Sequence, residues 1–460
     1  MKTVFITIFD GAISKNILRS SFFQEIQKEF RVVLFVPAAK RVYYDTEFGG
    51  QNVIVETTPL PNYPNFERRF HSIALHSFPT RTVYLKIWHE FKKSGKFLRL
   101  LSRIFLWMSG KYTPLHRFMR SVYARINDNS FDSHFEKYSP DCVFVPNMMS
   151  NEDYRLIKAS RRHRVVSIGM PKSWDNFTSK TFFNIFPDWI MVQNQIMKNQ
   201  ASDLFGYPQD RLLVVGFPQF DIYAGSAKRS RADFFQDCGL DPEKKTILYA
   251  AAGSQLAPHD EQVLSGLIQD IESDPVLRNR VQILVRPHPK YDFREDVVTL
   301  KKEFVSVDYP GTIRGSKRAH WEFRDTDVER LFESLYFSDI LISTISTLNL
   351  EAAILNKPLI SIGFDGNVTL PYVLSVARYY EYDHMLPLVR SGGMRVAYTR
   401  ASLLDEVKRA LTEPSIDTHG REILVSDLVG VCDGQAGDRV AKALISITTN
   451  YEKRRPEENI

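Results

Sequence analysis

The sequence predicts an α/β protein with two doubly wound, Rossmann-like domains that face each other across a cleft. Short apolar runs alternate with helical patterns along most of the chain, as in parallel sheets covered by helices on both faces. The chain has 460 residues, which is too long for one ordinary core and indicates at least two domains. The hydrophobic content of 43% is enough to fill two such cores.

The first predicted domain spans residues 1–220 and opens with a strand, a turn, a helix and a second strand. The first strand is predicted at Thr3–Phe9, the turn at Asp10-Gly11 and the second strand at Val32–Val36. This order is the opening unit of a doubly wound sheet. Further strands are predicted at Val53–Val55, Cys142–Val145, Val165–Ile168, Trp189–Val192 and Leu212–Val215, and helices at Asp153–His163 and Ile196–Phe205.

The second predicted domain spans residues 245–434 and repeats the alternation. After it, residues 435–460 are predicted to form a helix near Arg439–Tyr451 that crosses back to the first domain. Its strands are predicted at Thr246–Ala252, Val281–Val285, Ile340–Ile342 and Leu359–Ile362. Because ligands bind at the carboxyl ends of parallel strands, the turns after these strands are the candidate site.

One of these turns holds a histidine between two prolines. The strand Val281–Val285 leads directly into Arg286-Pro287-His288-Pro289. The prolines stiffen the backbone on both sides and so aim the imidazole. Arg286, His288 and Pro289 are therefore predicted to contribute to nucleotide binding, although a structural histidine at a strand end is the alternative.

A second turn is rich in hydroxyls. Ser343, Thr344, Ser346 and Thr347 follow a strand and precede a helical pattern, where hydroxyls and unpaired backbone N–H groups can bind a phosphate. Glu351 lies about one turn further on, where its carboxylate can accept both hydroxyls of a ribose. Alternatively, Ser346 or Thr347 is an ordinary N-cap and Glu351 is a solvated helix residue.

A third turn follows the first strand of the second domain. It reads Gly253-Ser254, and a glycine there allows the backbone to approach a phosphate closely. A single Gly-Ser pair is a weak signal. Its position at the start of the second set of strands adds both residues to the predicted nucleotide site.

The His-Pro turn, the Ser/Thr-rich turn and the acidic residue after it, in this order, resemble the nucleotide-binding domain of GT-B-fold glycosyltransferases. The pattern is similar to that of polysialyltransferases and their relatives in bacterial capsule and surface-polymer synthesis, and to that of CDP-glycerol glycerophosphotransferases. The stretch from Asp433 to Ala441 looks like the entry to the final helix of such enzymes. The resemblance implies a GT-B fold and transfer of a sugar from a nucleotide-activated donor to a glycan or lipid-linked acceptor in bacterial surface polysaccharide synthesis.

Three alternatives to sugar transfer stay open. A polyol-phosphate transferase that uses CDP-glycerol shares the fold and the His-Pro turn, and a nucleotide-sugar 2-epimerase shares the fold. A non-catalytic, membrane-associated subunit is the third. No cofactor or metal is predicted, because we find no DxD-like carboxylate pair after a predicted strand and because helix N-termini and cations can neutralise a diphosphate.

Asp10 is the first candidate for the general base that deprotonates the acceptor hydroxyl. It follows a strand's carboxyl end, and Asp10-Gly11 resembles part of the acidic-acidic-glycine motif that supplies the base in polysialyltransferases. The match is partial, because Phe9 occupies the first acidic position. A simple turn residue is the other interpretation of an Asp-Gly pair.

Asp175 is the second candidate base. It lies in a long polar turn with Trp174, Asn176 and Lys180, which are predicted to form an acceptor loop. The Trp-Asp-Asn sequence resembles one found in uncharacterised surface-carbohydrate transferases of this fold. Alternatively, Asp175 caps a helix over a packed Trp174.

A basic and aromatic insertion is predicted at about residues 65–130. From Arg81 to Ile126 there are eleven Lys and Arg and a single acid, Glu90, so this segment's net charge of +10 exceeds the +6 of the whole chain. Cations next to large aromatic residues are typical of binding at an anionic membrane surface. A solvated helical hairpin that packs on its own domain is the alternative, and no nucleic-acid module accompanies the charge.

The sequence further predicts a cytoplasmic protein, peripheral at the inner face of the cell membrane. The three cysteines are far apart, as is usual in a reducing compartment. The apolar run at the N-terminus ends at Asp10, too early for a signal peptide. No uncharged apolar segment reaches the roughly 18 residues of a transmembrane helix.

Overall fold

A computed structural model describes residues 1–57, 65–179, 182–289, 291, 293, 302–313 and 321–454. The chain divides into two compact units. Unit 1 comprises Met1–Asp221 and Gly430–Ile460, and unit 2 comprises Ile222–Val429. Each unit has its own parallel sheet, so the predicted α/β class with two doubly wound sheets is confirmed.

Unit 1 is built on a seven-stranded parallel sheet. Its strands are β1 (Lys2–Thr7), β2 (Phe30–Phe35), β3 (Val53–Glu56), β4 (Cys142–Val145), β5 (Val166–Gly169), β6 (Trp189–Val192) and β7 (Leu212–Val214). They lie in the order β3-β2-β1-β4-β5-β6-β7. The direction of winding therefore reverses between β1 and β4, and the turns after these strands lie where ligands bind in doubly wound sheets.

The helices of unit 1 follow the strands in the expected alternation, and they cover the sheet with apolar faces. They are α1 (Gly11–Ile13), α2 (Ser21–Glu29), α3 (Arg41–Phe48), α4 (Asn65–His76), α5 (Arg81–Ser94), α6 (Phe97–Ser109), α7 (Thr113–Ala124), α8 (Asp132–Tyr138), α9 (Asn151–Arg162), α10 (Asn176–Ser179) and α11 (Gln195–Phe205).

The insertion between β3 and β4 consists largely of the helices α4 to α7. Thr80 begins α5, because its hydroxyl accepts a hydrogen bond from the backbone N–H of Val83 at 3.2 Å. Gly110 ends α6, where a β-carbon would lie only 1.5 Å from the carbonyl oxygen of Ser77. This close approach of two backbones requires a glycine and fixes α6 against the end of α4.

Unit 2 has a six-stranded parallel sheet and a separate two-stranded antiparallel pair. The strands are β8 (Lys245–Ala251), β9 (Val281–Pro287), β10 (Val305–Val307), β11 (Thr312–Ile313), β12 (Trp321–Glu322), β13 (Ile340–Ser343), β14 (Leu359–Ile362) and β15 (Met394–Ala397). The parallel sheet has the order β10-β9-β8-β13-β14-β15, and β11 pairs with β12.

The helices of unit 2 begin with one that precedes its first strand. They are α12 (Arg231–Asp237), α13 (Asp260–Ser273), α14 (Leu277–Arg280), α15 (Asp325–Phe337), α16 (Leu348–Ile354), α17 (Met385–Arg390), α18 (Arg400–Thr412) and α19 (Thr418–Leu424). One continuous apolar core joins α13 and α18 to the face of the sheet.

The last helix, α20 (Ala436–Arg454), belongs to unit 1. Its start is capped by Asp221, whose carboxylate accepts hydrogen bonds from the backbone N–H groups of Ala436 at 2.9 Å and Gly437 at 2.8 Å. A β-carbon on Gly437 would lie 2.4 Å from the Ser21 hydroxyl. The chain thus returns to unit 1 through a close contact between α20 and α2.

Candidate active site

The three polar turns of unit 2 follow three neighbouring strands. In the parallel register Ala250 of β8 is paired with Arg286 of β9 on one side and with Ser343 of β13 on the other. The Gly253 turn, the His288 turn and the Ser346 turn therefore leave the same edge of the sheet. This is the carboxyl edge, where parallel sheets bind ligands.

The buried carboxylate of Asp260 holds the Gly253 turn in place. Asp260 in the first turn of α13 accepts a hydrogen bond from the Tyr249 hydroxyl at 2.7 Å and one from the backbone N–H of Ala252 at 2.7 Å. Gly253 adopts a positive φ of 79°, which suits a glycine, and Ser254 beside it is half-buried. Burial raises the pKa of Asp260 to about 6.

We expect Asp260 to make the stability of unit 2 depend on pH. Its folded-state pKa of about 6 lies above the unfolded value of about 3.9, so the native state takes up the proton first as the pH falls. The stabilisation is fully present below the unfolded pKa and is lost as the pH rises through 6. The free energy of unfolding of the wild type, relative to Asp260→Asn, should therefore rise by about 2–3 kcal/mol from pH 7.5 to pH 4.

Urea denaturation of both proteins across this pH range measures the effect. Taking the difference between the two cancels the other titrating groups. A difference that stays flat from pH 7.5 to pH 4 would contradict the prediction.

In the His-Pro turn the arginine and the histidine have different environments. Arg286 is buried, pairs with Asp308, and donates a hydrogen bond to the Ser334 hydroxyl at 3.0 Å. Its charge is thus balanced inside unit 2, where it supports the turn. His288 is half-exposed and stacks on Tyr291 with 4.4 Å between the ring centroids, and Pro289 beside it is also half-buried.

In the Ser/Thr-rich turn, two of the four predicted residues are buried. Ser343 donates a hydrogen bond to the side-chain oxygen of Asn349 at 2.8 Å and so ties β13 to α16. Thr344 is also buried, and its hydroxyl has no hydrogen-bond partner among the described atoms. Ser346 accepts a hydrogen bond from the Leu348 N–H at 3.1 Å. Thr347, the N-cap of α16, is half-exposed, and among the described residues its side chain accepts no capping hydrogen bond.

Glu351 lies in the first turn of α16, with only 3% of its surface exposed. Its carboxylate accepts a hydrogen bond from the hydroxyl of Tyr223. The alternative interpretation of Glu351 as a solvated helix residue is therefore wrong, because this side chain is buried in unit 2. No local sequence pattern pointed to Tyr223, which lies 128 residues earlier in the chain.

In unit 1 the carboxylate of Asp10 has two described roles. One oxygen accepts a hydrogen bond from the backbone N–H of Ala12 at 2.8 Å and caps α1. The other oxygen lies 3.3 Å from the ammonium group of Lys172, which follows β5. Both side chains are partly exposed, so Asp10 is a cap and also remains accessible beside a cation.

The polar turn around Trp174, Asp175 and Asn176, here called the Trp loop, leads into α10. Trp174 and Asn176 are buried, and the side-chain oxygen of Asn176 accepts a hydrogen bond from the backbone N–H of Ser173 at 2.7 Å. Asp175 is half-exposed, and its carboxylate faces the Ser179 hydroxyl at 3.4 Å. Lys180 lies outside the described residues.

Sequence patterns missed two further polar groups at the carboxyl edge of this sheet. Asp153 of α9 is fully buried, accepts a hydrogen bond from the Thr7 hydroxyl, and has a pKa raised to about 6 by burial. The second polar group is the ammonium of Lys172, in the turn after β5. A buried carboxyl group after one strand and a cation after another are recognisable only once the strand order is known.

Asp325 and Asp327 form a DxD-like pair that contradicts the expectation of no such pair after a strand. In the structure they follow β12 after Phe323 and Arg324. They occupy the first turn of α15, where the Asp327 carboxylate accepts a hydrogen bond from the backbone N–H of Arg324 at 2.7 Å. The sequence did not predict β12, so the pair was not recognised as following a strand.

The comparison with curated proteins finds teichoic acid enzymes. The teichoic acid glycerol-phosphate primase of Bacillus subtilis (strain 168) is 28% identical over 185 residues, which are 39% of this chain and 40% of the primase. The teichoic acid poly(ribitol-phosphate) polymerase of Bacillus spizizenii (strain ATCC 23059 / NRRL B-14472 / W23) is 22% identical over 269 residues, which are 56% of this chain and 37% of the polymerase. This chain thus spans less than half the length of either relative.

Solved structures show the same fold at low sequence identity. The wall teichoic acid polymerase TagF superposes with a TM-score of 0.53 and 11% identity, over 98% of this chain and 90% of TagF. The UDP-GlcNAc 2-epimerase of Neisseria meningitidis, bound to UDP-GlcNAc, gives a TM-score of 0.54 and 12% identity, over 97% and 100% of the two chains. Both belong to the predicted GT-B-like class.

The family model for CDP-glycerol:poly(glycerophosphate) glycerophosphotransferases matches residues 184–446, which are more than half of the chain. The match includes all three polar turns of unit 2 and the start of α20. The chain therefore belongs to the CDP-glycerol:poly(glycerophosphate) glycerophosphotransferase family.

Proposed function

We propose that this protein transfers a polyol phosphate from a CDP-activated polyol to a hydroxyl group of an acceptor in the synthesis of a bacterial surface polymer. The observation that carries the proposal is the row of polar turns after β9, β8 and β13, which lies within the residues that the family model matches. The family match favours polyol-phosphate transfer over the sugar transfer that the sequence first suggested.

Each unit supplies candidate groups of its own. In unit 2, His288 and the Ser346 turn would hold the diphosphate, and Glu351 would accept the ribose hydroxyls. In unit 1, Asp10 would take the proton of the acceptor hydroxyl. The acceptor oxygen then bonds to the phosphorus atom that carries the polyol, the bond from that phosphorus to the bridging oxygen breaks, and CMP leaves.

Assays with three donors and a glycerol-phosphate oligomer carrying a lipid tail test this function. We expect CMP release from CDP-glycerol or CDP-ribitol to depend on the acceptor, with no turnover of UDP-GlcNAc. If UDP-GlcNAc were the one donor of the three from which a group is transferred, the sugar-transfer alternative would be restored. Conversion of UDP-GlcNAc in the absence of an acceptor would indicate an epimerase. Failure to bind or turn over any of the three would favour a non-catalytic subunit.

We further propose that α6 docks on an anionic membrane at the inner face of the cell membrane, where a lipid-linked acceptor would be presented. Its apolar residues Leu98, Leu101, Phe105 and Met108 recur at helical spacing and form one exposed face, with Leu98 82% and Phe105 71% exposed. Such a face, flanked by cations, suits an interfacial helix. Within the described residues, no helix has the length and apolarity to cross a membrane.

Several cations of the segment Arg81–Ile126 contact other groups of the protein. The net charge of +10 therefore overstates the charge that this segment can offer to a membrane. Lys86 donates a hydrogen bond to the Ser179 carbonyl, and Arg103 pairs with Glu90. Arg120 lies over the Phe186 ring, and burial lowers its pKa to about 10. The exposed cations of the segment are Arg81, Lys92, Lys93, Lys96, Arg99, Lys111, Arg117 and Arg125.

Helix α6 is also connected to the Trp loop. The Trp107 indole donates a hydrogen bond to the Thr80 carbonyl at 2.9 Å, and the Thr80 hydroxyl donates one to the Thr178 carbonyl at 3.0 Å. Docking of α6 would therefore hold the candidate acceptor loop at the same surface.

Vesicle sedimentation tests the docking. The wild type should bind vesicles that contain phosphatidylglycerol more tightly than neutral vesicles, because each cation near the surface adds about 1 kcal/mol. Leu98→Glu with Phe105→Glu should abolish binding, whereas Val42→Glu, at an exposed valine of α3, should not change it. Equal binding to both vesicle types, or binding unaffected by the α6 changes, would contradict the proposal.

A further inference from the structure

The hydroxyl of Tyr223 donates a hydrogen bond to one carboxylate oxygen, Oε2, of Glu351. Both side chains are buried, with 6% and 3% of their surfaces exposed. Among the described residues, Tyr223 is the one side chain that donates to this carboxylate. The orientation of the Glu351 carboxylate therefore depends on the position of a single phenol group.

Tyr223 is itself held firmly. It lies in a 3₁₀-helical segment, Pro218–Ala224, and its ring packs edge-on against Phe332 of α15 with 5.4 Å between the ring centroids. Two residues earlier, Asp221 caps α20 through two backbone N–H groups. With its ring fixed on α15 and its backbone fixed nearby, Tyr223 presents its hydroxyl in a defined direction.

A carboxylate with one oxygen already bonded has fewer orientations to lose when a ligand binds. A carboxylate accepts hydrogen bonds through two oxygens, and in Glu351 the tyrosine occupies Oε2. Among the described residues Oε1 accepts no hydrogen bond, so it is the oxygen that would meet a ligand with paired hydroxyls. Side chains that are oriented before binding cost less entropy to order on binding.

We propose that Tyr223 is a positioning residue for the nucleotide: it fixes the Glu351 carboxylate so that this group recognises the ribose hydroxyls. The inference rests on the proposed function, in which Glu351 binds the ribose. It adds a specificity determinant from outside the polar turns. It also implies that recognition of a ribose, as opposed to a sugar without vicinal hydroxyls, is set partly by the segment that joins the two units.

Calorimetry with CDP and with 2′,3′-dideoxy-CDP tests the role of Tyr223. Tyr223→Phe removes only the hydroxyl, and we expect about tenfold weaker binding of CDP, in the range of one lost hydrogen bond to a charged group. Binding of the dideoxy nucleotide should change by less than about twofold, because it lacks the hydroxyls that Glu351 would bind. A general loss of packing would weaken both nucleotides alike.

A double-variant cycle then asks whether Tyr223 acts through Glu351. In the Glu351→Ala background, Tyr223→Phe should cause no further loss of CDP affinity. If Glu351→Ala fails to fold, Glu351→Gln replaces it as the background, since the glutamine fills the same space. Tyr154→Phe is the matched control, because this buried tyrosine of unit 1 donates to the Phe182 carbonyl and should not affect CDP binding.

The outcomes separate this inference from the function on which it rests. If CDP binds equally well to the wild type and to the Glu351 variants, the nucleotide site itself is wrong. If the Glu351 variants lose affinity but Tyr223→Phe keeps the full preference for CDP over the dideoxy nucleotide, only the role of Tyr223 is overturned. An equal loss from Tyr223→Phe in both backgrounds also overturns it.

Discussion

Replacement of Asp10 by asparagine should lower the turnover number about 100-fold or more while the nucleotide affinity stays nearly unchanged, as for loss of a general base. Asparagine keeps the side-chain oxygen that caps α1 through the Ala12 N–H, so the local fold should survive. It removes the negative charge beside Lys172 and with it the capacity to accept a proton. Steady-state turnover with the matched donor and acceptor, together with calorimetry of CDP, measures both quantities.

Asp175→Asn is the comparison variant for this prediction. The Asp175 carboxylate accepts hydrogen bonds from the Ser179 hydroxyl and the Asn176 side-chain amide of its own turn, each at 3.4 Å. We therefore expect its loss to change turnover far less than the loss of Asp10. The opposite ranking would move the base to the Trp loop, and normal turnover in both variants would mean that neither carboxylate takes the proton.

Apolar runs were sufficient to predict most of the two sheets. The strands Cys142–Val145, Trp189–Val192 and Leu359–Ile362 have the predicted bounds, because each is a short buried run between polar turns. The strand Met394–Ala397 was not predicted, since Arg395 breaks its apolar pattern. In the structure Arg395 reaches Asp417, so its charge is balanced at the edge of the sheet.

The candidate site was predictable as a set of turns but not as a set of contacts. Topology places the residues after adjacent parallel strands at one edge, and this depends only on local patterns. The pairs Tyr223–Glu351 and Asp10–Lys172 join positions 128 and 162 residues apart. No local spacing encodes them, because each depends on how separate segments pack after folding.

Those contacts refine what the removal of Glu351 or His288 should do. A hydrogen bond to a charged group contributes about 1.5–3 kcal/mol, so Glu351→Ala or His288→Ala should each weaken CDP binding by roughly 10- to 150-fold. Glu351→Ala should also reduce the preference for ribonucleotides over 2′,3′-dideoxy nucleotides. His288→Ala should leave that preference intact, because the histidine is assigned to the diphosphate.

The two substitutions differ in their structural cost, and the experiment must separate that cost from binding. Glu351→Ala leaves the Tyr223 hydroxyl buried without its acceptor, so the free energy of unfolding should fall by about 1–3 kcal/mol. His288 is half-exposed and stacks on Tyr291, so its loss should cost less. Thermal melts of both variants therefore accompany the calorimetry. If both fold normally and bind CDP as tightly as the wild type, the edge formed by β9, β8 and β13 is not the nucleotide site, because the two groups assigned to opposite ends of the nucleotide would both be dispensable.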